Sequence, residues 1–144
     1  MGTKENMVVA KRLFTDVFTD GQESLLNDLL AKDVVFSDPS NPQVRSGLSD
    51  FTRLEEAYRE AFPDKRLKIE DLIAADSKVI VRWSFEGTNT GRFEGRSPSG
   101  MPVQTTGITI LTFKGKKIQE IHQQWDELSF LECLGEAPSS RWAA

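Results

Sequence analysis

The feature that most restricts the fold is a run of alternating segments in the second half of the chain. Lys78 to Glu86 sets Val79, Val81, Trp83 and Phe85 against Ile80, Arg82, Ser84 and Glu86. Alternation with a period of two reads as a strand with one buried face. Met101 to Phe113 is a second, longer strand, rich in the Thr, Ile and Val that favour sheets. Arg66 to Ala75 precedes the pair and is joined to it by a tight turn at Asp76-Ser77. Lys114-Gly115-Lys116 reads as a hairpin turn into a last strand, Lys117 to Trp125. Consecutive strands with short turns form an antiparallel sheet.

The first half follows a helical period instead. Val8, Val9, Leu13, Phe14, Val17 and Phe18 predict a helix over about 5–20, stopped near Gly21. A short second helix covers about 22–30, and Val34 to Phe36 reads as a brief strand. Asp38-Pro39-Ser40-Asn41-Pro42 reads as a loop. Ser49 and Asp50 are capping residues for a third helix over about 51–61, which ends before Pro63. Phe51, Leu54, Tyr58 and Phe62 share one side of it. Gly87 to Ser99 is a loop or a bent strand end, and 126–134 turns helical again. Helices first and strands afterwards make an α+β plan. Glycines inside strands, such as Gly107, permit the sheet to bend around a cavity.

The last strand carries the single histidine of the chain, His122, four residues before Asp126. Glu120, His122, Gln124 and Asp126 fall on one face, with Ile121 and Trp125 opposite. That polar row is either plain surface or the lining of a pocket. Asp126 is a candidate acid/base or the N-cap of the segment after it. His122 is a pocket partner for Asp126, a structural histidine or a metal ligand. Arg82 is a ligand clamp, or an ion-pair partner for Asp64, Glu86 or Glu120. Trp83, Tyr58, Phe62 and Phe36 are cavity or core aromatics, and Gln124 and Thr112 are further polar lining candidates.

At 144 residues the chain fits one domain, 1–144, with a core over about 8–135 and a loosely held tail over 136–144. The net charge of -4 argues against nucleic acid as a partner. No apolar run reaches the roughly 18 residues of a membrane span, and Val8 to Ala10 is too short for a signal-peptide core. The expected location is the cytoplasm. The single cysteine, Cys133, lies among leucines, and no Cys or His cluster has metal-ligand spacing.

Phe62-Pro63-Asp64, Val79-Ile80-Val81-Arg82-Trp83, Gly87-Thr88-Asn89-Thr90-Gly91 and Gly107-Ile108, in that order, resemble the SnoaL-like polyketide cyclases of the nuclear transport factor 2-like superfamily. Lys117-Ile118-Gln119-Glu120, Trp125-Asp126 and Leu134-Gly135 resemble the closing motif of that family. The resemblance implies a cone-shaped α+β barrel: a strongly bent, mainly antiparallel sheet and N-terminal helices enclosing a pocket. It implies a homodimer or higher homo-oligomer, a hydrophobic small-molecule ligand, and no metal or cofactor. It also implies aldol-type cyclisation or isomerisation of a carbonyl compound, with Asp126 as acid/base and His122 beside it. Three positions depart from the family pattern. Asn89 and the Ile110–Thr112 stretch lack a histidine that members carry there, and His122 replaces a tryptophan. Catalysis therefore stands beside two alternatives: a non-catalytic binding protein for an apolar molecule, and an epoxide-type hydrolase built on Arg82, Asp126 and Asp64.

Overall fold

The computed structural model describes residues 2–39, 41–93 and 95–135; the expected loose tail, 136–144 with Trp142, lies outside them. Helix α1 (Thr3–Arg12) runs into a π-helical turn, Leu13–Val17, whose Leu13, Phe14 and Val17 are fully buried. A 3-10 turn (Glu23–Leu25) and the short α2 (Leu26–Leu29) lead into strand β1 (Leu30–Asp38). Strand β2 (Asn41–Ser46) and helix α3 (Leu48–Ala61) follow. The second half is β3 (Arg66–Ala75), β4 (Lys78–Thr88), β5 (Pro102–Lys114), β6 (Lys117–Trp125) and α4 (Glu127–Cys133).

The six strands form one sheet in the order β2-β1-β6-β5-β4-β3. All neighbours are antiparallel except β1 and β6. The α+β expectation therefore holds, with β2 as an added strand where the prolines had suggested only loop. Its neighbour β1 is also longer than Val34 to Phe36 alone implied. In a flat sheet β1 and β3 would lie roughly 19 Å apart, at about 4.8 Å per strand. Yet Phe36 of β1 and Leu67 of β3 line one cavity, so the sheet curls strongly around it. The curl leaves β2 and β3 as edges.

The helices cover the concave side, with α1 against β3 and β4, α3 against β1, and α4 against β5. Arg59 of α3 donates hydrogen bonds to the carbonyl oxygens of Val17, Phe18 and Thr19. It thereby satisfies acceptors that the end of a helix leaves open. Asn89 is buried, donates to the carbonyls of Ala61 and Gly91 and accepts from the Ser99 amide. This pins the loop after β4 to the end of α3. Asp64 caps the other side of that junction, accepting from the Thr88 amide at 2.7 Å and its hydroxyl at 2.9 Å. Those bonds hold its carboxyl below the ordinary range.

Gly107 has a packing reason beyond bending. It pairs with Trp83 on β4 and Trp125 on β6. A Cβ there would lie 2.4 Å from the Trp83 ring and 2.7 Å from the Trp125 Cβ. The absent side chain lets both tryptophans close over the β5 backbone.

Candidate functional site

The concave face encloses a pocket with a cavity volume of about 100 Å3, open to solvent at its mouth. Helix α3 supplies Phe51, Leu54, Glu55 and Tyr58, and the end of α1's π turn supplies Phe18. The sheet supplies Phe36 and Asp38 from β1, Leu67 from β3, Trp83 and Phe85 from β4, and Thr105 from β5. Strand β6 contributes Ile121, Gln123 and Trp125, and Phe130 of α4 closes one end. The aromatic walls pack edge to face. Phe36 meets Phe51 at 5.1 Å and Trp125 meets Phe130 at 5.1 Å between ring centres.

The alternation of β6 decides the two readings of its polar row. From Ile121 onward the odd positions face the pocket, so the row Glu120, His122, Gln124 and Asp126 belongs to the outer side. His122 is half exposed; its Nδ1 is 3.1 Å from the Ser37 hydroxyl and its Nε2 is 3.7 Å from Glu120. Gln124 is exposed. Asp126, expected in the pocket, is exposed and caps α4, accepting from the Ser129 amide at 3.0 Å and the Ser129 hydroxyl at 2.6 Å. Both bonds stabilise its charged form and hold its carboxyl below the ordinary range. It is thus a weaker base than a free aspartate. The chain leaves β6 at this residue to begin a helix, and capping turns the carboxylate toward the helix amides rather than the cavity.

Arg82 and Thr112 are corrected in the same way. Arg82 is exposed on the outer face of β4, bonded to Asp71 of β3 at 2.6 Å. Its partner is none of the three carboxylates expected from the sequence. The Thr112 hydroxyl accepts from Lys78 at 2.8 Å on the same outer face. Arg82, Asp126 and Asp64, the residues of the hydrolase alternative, are held by three separate partners. Of the expected aromatics, Trp83, Tyr58 and Phe36 line the pocket. Phe62 sits behind the wall, fully buried, against Phe85 and Phe130 at 5.5 Å and 5.6 Å.

Polar residues that sequence reasoning missed are brought to the pocket, namely Ser37, Thr105, Asp38, Glu55, Lys65 and Gln123. Asp38 is at the end of β1. The β1–β6 ladder pairs Phe36 with Ile121 and Ser37 with His122, so the next step carries Asp38 beside Gln123. The sequence signal for Asp38 was present in the Asp38-Pro39 turn, which reads equally well as a plain loop. Glu55 and Lys65 are bonded at 2.8 Å, with Lys65 also donating to the Phe18 carbonyl at 2.7 Å. Burial pushes the Glu55 carboxyl up and the Lys65 ammonium down, each against the attraction of the other. Among the described residues, no cluster of His, Cys, Asp and Glu is placed to hold a metal ion.

A family model described as SnoaL-like polyketide cyclase matches residues 8–134. Among solved structures, a candidate SnoaL-like polyketide cyclase from Jannaschia sp. CCS1 superposes with a TM-score of 0.85 at 22% identity, covering 94% of this chain and 95% of its own. AclR, a candidate hydroxylase from Streptomyces galilaeus, gives 0.84 at 22% identity over 99% of this chain and 94% of its own. A candidate ketosteroid isomerase from Kribbella flavida gives 0.67 at 18% identity over 86% and 79%. Among proteins of curated function, none matches in sequence.

Proposed function

Because the chain belongs to the SnoaL-like polyketide cyclase family, we propose that it carries out cofactor-free acid–base chemistry on a small hydrophobic carbonyl compound held in the aromatic pocket, with Asp38 as the carboxylate that moves the proton. The observation that carries this is the wall itself. Asp38 places a carboxylate in that wall, at the end of β1 where it meets β6. In the reaction a carbon–hydrogen bond next to the carbonyl breaks and Asp38 takes the proton. The electron pair moves onto the carbonyl oxygen as an enolate. In a compound with a neighbouring C=C bond, returning the proton to the far carbon of the dienolate isomerises it; alternatively the enolate carbon attacks a second carbonyl to close a ring, and Asp38 returns its proton to the alkoxide that forms. The pocket aromatics hold the carbon skeleton, and a base within reach supplies the acceleration.

The test is exchange of the acidic protons of 2-tetralone with solvent deuterium, followed by NMR. The expected result is exchange above the buffer rate that falls at least a hundredfold in Asp38→Asn, the usual worth of a positioned base. An unchanged rate in that variant overturns the assignment. A second reading, a carrier of apolar molecules, is favoured by the largely aromatic wall. It is selected if 2-tetralone binds tightly and the wild type does not exchange it.

The outer face of the sheet, where Ile73 and Ile108 are exposed, is the surface we propose for self-association. Among the described residues no helix is long and apolar enough to cross a membrane, and the mixed surface charge fits the cytoplasmic location that this reading includes.

A further inference from the structure

Trp83, Thr109 and Gln123 form a hydrogen-bond chain of fixed direction. The Trp83 Nε1–H donates to the Thr109 Oγ1 at 2.8 Å, and that oxygen is 2.8 Å from Gln123 Oε1. An indole nitrogen only donates, so the threonine oxygen must accept from it. The one hydroxyl hydrogen of Thr109 is donated to Gln123 Oε1. An amide nitrogen accepts nothing. The carbonyl oxygen of Gln123 is therefore the atom facing Thr109, and its NH2 group faces the other way. Thr109 is almost wholly buried and Trp83 nearly so, so water does not compete for this orientation. Among the described residues, no group accepts from the Gln123 amide nitrogen, and Gln123 lines the pocket.

We infer that Gln123 is the pocket's fixed donor for a ligand oxygen: its Nε2–H bonds the carbonyl of the bound compound and stabilises the enolate that forms there. The ligand chemistry that complements this donor is an acceptor oxygen on an apolar frame. The threonine and Trp83 act through Gln123 as positioning residues. The enolate role rests on the proposed chemistry; the donor role does not.

The test compares 2-tetralone with tetralin, the same bicyclic frame without the oxygen. Wild type is expected to prefer 2-tetralone by roughly tenfold, the worth of one hydrogen bond. The carbonyl stretch of bound 2-tetralone should shift to lower frequency in the infrared. Gln123→Met keeps the volume and removes the donor. It should abolish both the preference and the shift while tetralin binds as before. Thr109→Val frees the amide to rotate and should reduce both, with no added loss when combined with Gln123→Met. If Gln123→Met misfolds, Thr109→Val and the wild-type infrared shift still decide. Equal affinity for the two probes in wild type, no measurable binding of either, or an unshifted carbonyl overturns the inference. So does a Gln123→Met variant that keeps the preference. Loss of exchange chemistry alone does not touch it: an Asp38→Asn variant that exchanges normally removes the base assignment and leaves the infrared result standing.

Discussion

Glu55 and Lys65 meet at 2.8 Å across the junction of α3 and β3, with side chains only 5% and 3% exposed. Their bond joins a helix that roofs the pocket to the start of the strand that forms its far edge. Neither charge can be removed without leaving the other buried.

Lys65→Met should therefore destabilise the protein by about 3–5 kcal/mol, and combining it with Glu55→Leu should recover most of that loss. Urea unfolding of both variants measures it. The raised Glu55 carboxyl favours the folded state fully below 4.5 and loses that contribution as pH rises through its folded value. The Lys65→Met deficit should thus shrink as pH falls toward 4.5. A single variant as stable as wild type would show that the pair contributes nothing.

Asp126→Ala should cost about 1 kcal/mol, the usual worth of an N-cap, and leave 2-tetralone affinity unchanged. Because the folded carboxyl is lowered from 3.8, its contribution is present above that value and lost as pH falls through the folded value. Wild type and variant should converge in stability in acid. Chemical denaturation at neutral and acid pH checks the first claim. Loss of 2-tetralone binding in the variant would return Asp126 to the pocket.

Gly107→Ala should destabilise by about 1–3 kcal/mol through overpacking. The new methyl must displace the ring of Trp83 or the Cβ of Trp125. A changed tryptophan emission spectrum should accompany the lowered melting temperature. An unaltered spectrum and stability would mean that the two rings do not close over this residue.

Ile73→Glu with Ile108→Glu places charges on exposed positions of the outer sheet. Sedimentation velocity should show the wild type as a dimer or larger and the double variant as a monomer of unchanged helix and strand content. A monomeric wild type at tens of micromolar, an ordinary working range, contradicts self-association through this face.

The period-two segments of the second half and the helical spacing of the first were readable because burial is written directly into their residue types. The five antiparallel or parallel neighbours of the finished sheet were less so. Strand β2 contains Pro42 and no apolar alternation, so its pairing depends on β1 rather than on its own composition. The pocket residues were legible as aromatics and illegible as a constellation. Trp83, Tyr58 and Phe36 announce themselves by size. Glu55 and Lys65 look like ordinary surface charges until the chain ends of α3 and β3 are brought together. The inward face of β6 was the hardest choice, since Ile121, Gln123 and Trp125 are no more apolar at their centre than the row opposite. Packing of Ile121 and Trp125 against the helices decides it, and that information is tertiary.

The alternation along Glu120–Trp125 has a consequence for how such a protein can change. Odd positions from Ile121 to Trp125 touch the cavity, and even positions from Glu120 to Gln124 touch the outside. This end of the strand thus carries two interleaved texts, one addressed to a ligand and one to the protein's exterior. A substitution at Gln123 rewrites the first without disturbing the second. Divergence in what the pocket accepts and divergence in what the sheet meets outside can proceed at neighbouring residues, in separate lineages, without either waiting on the other.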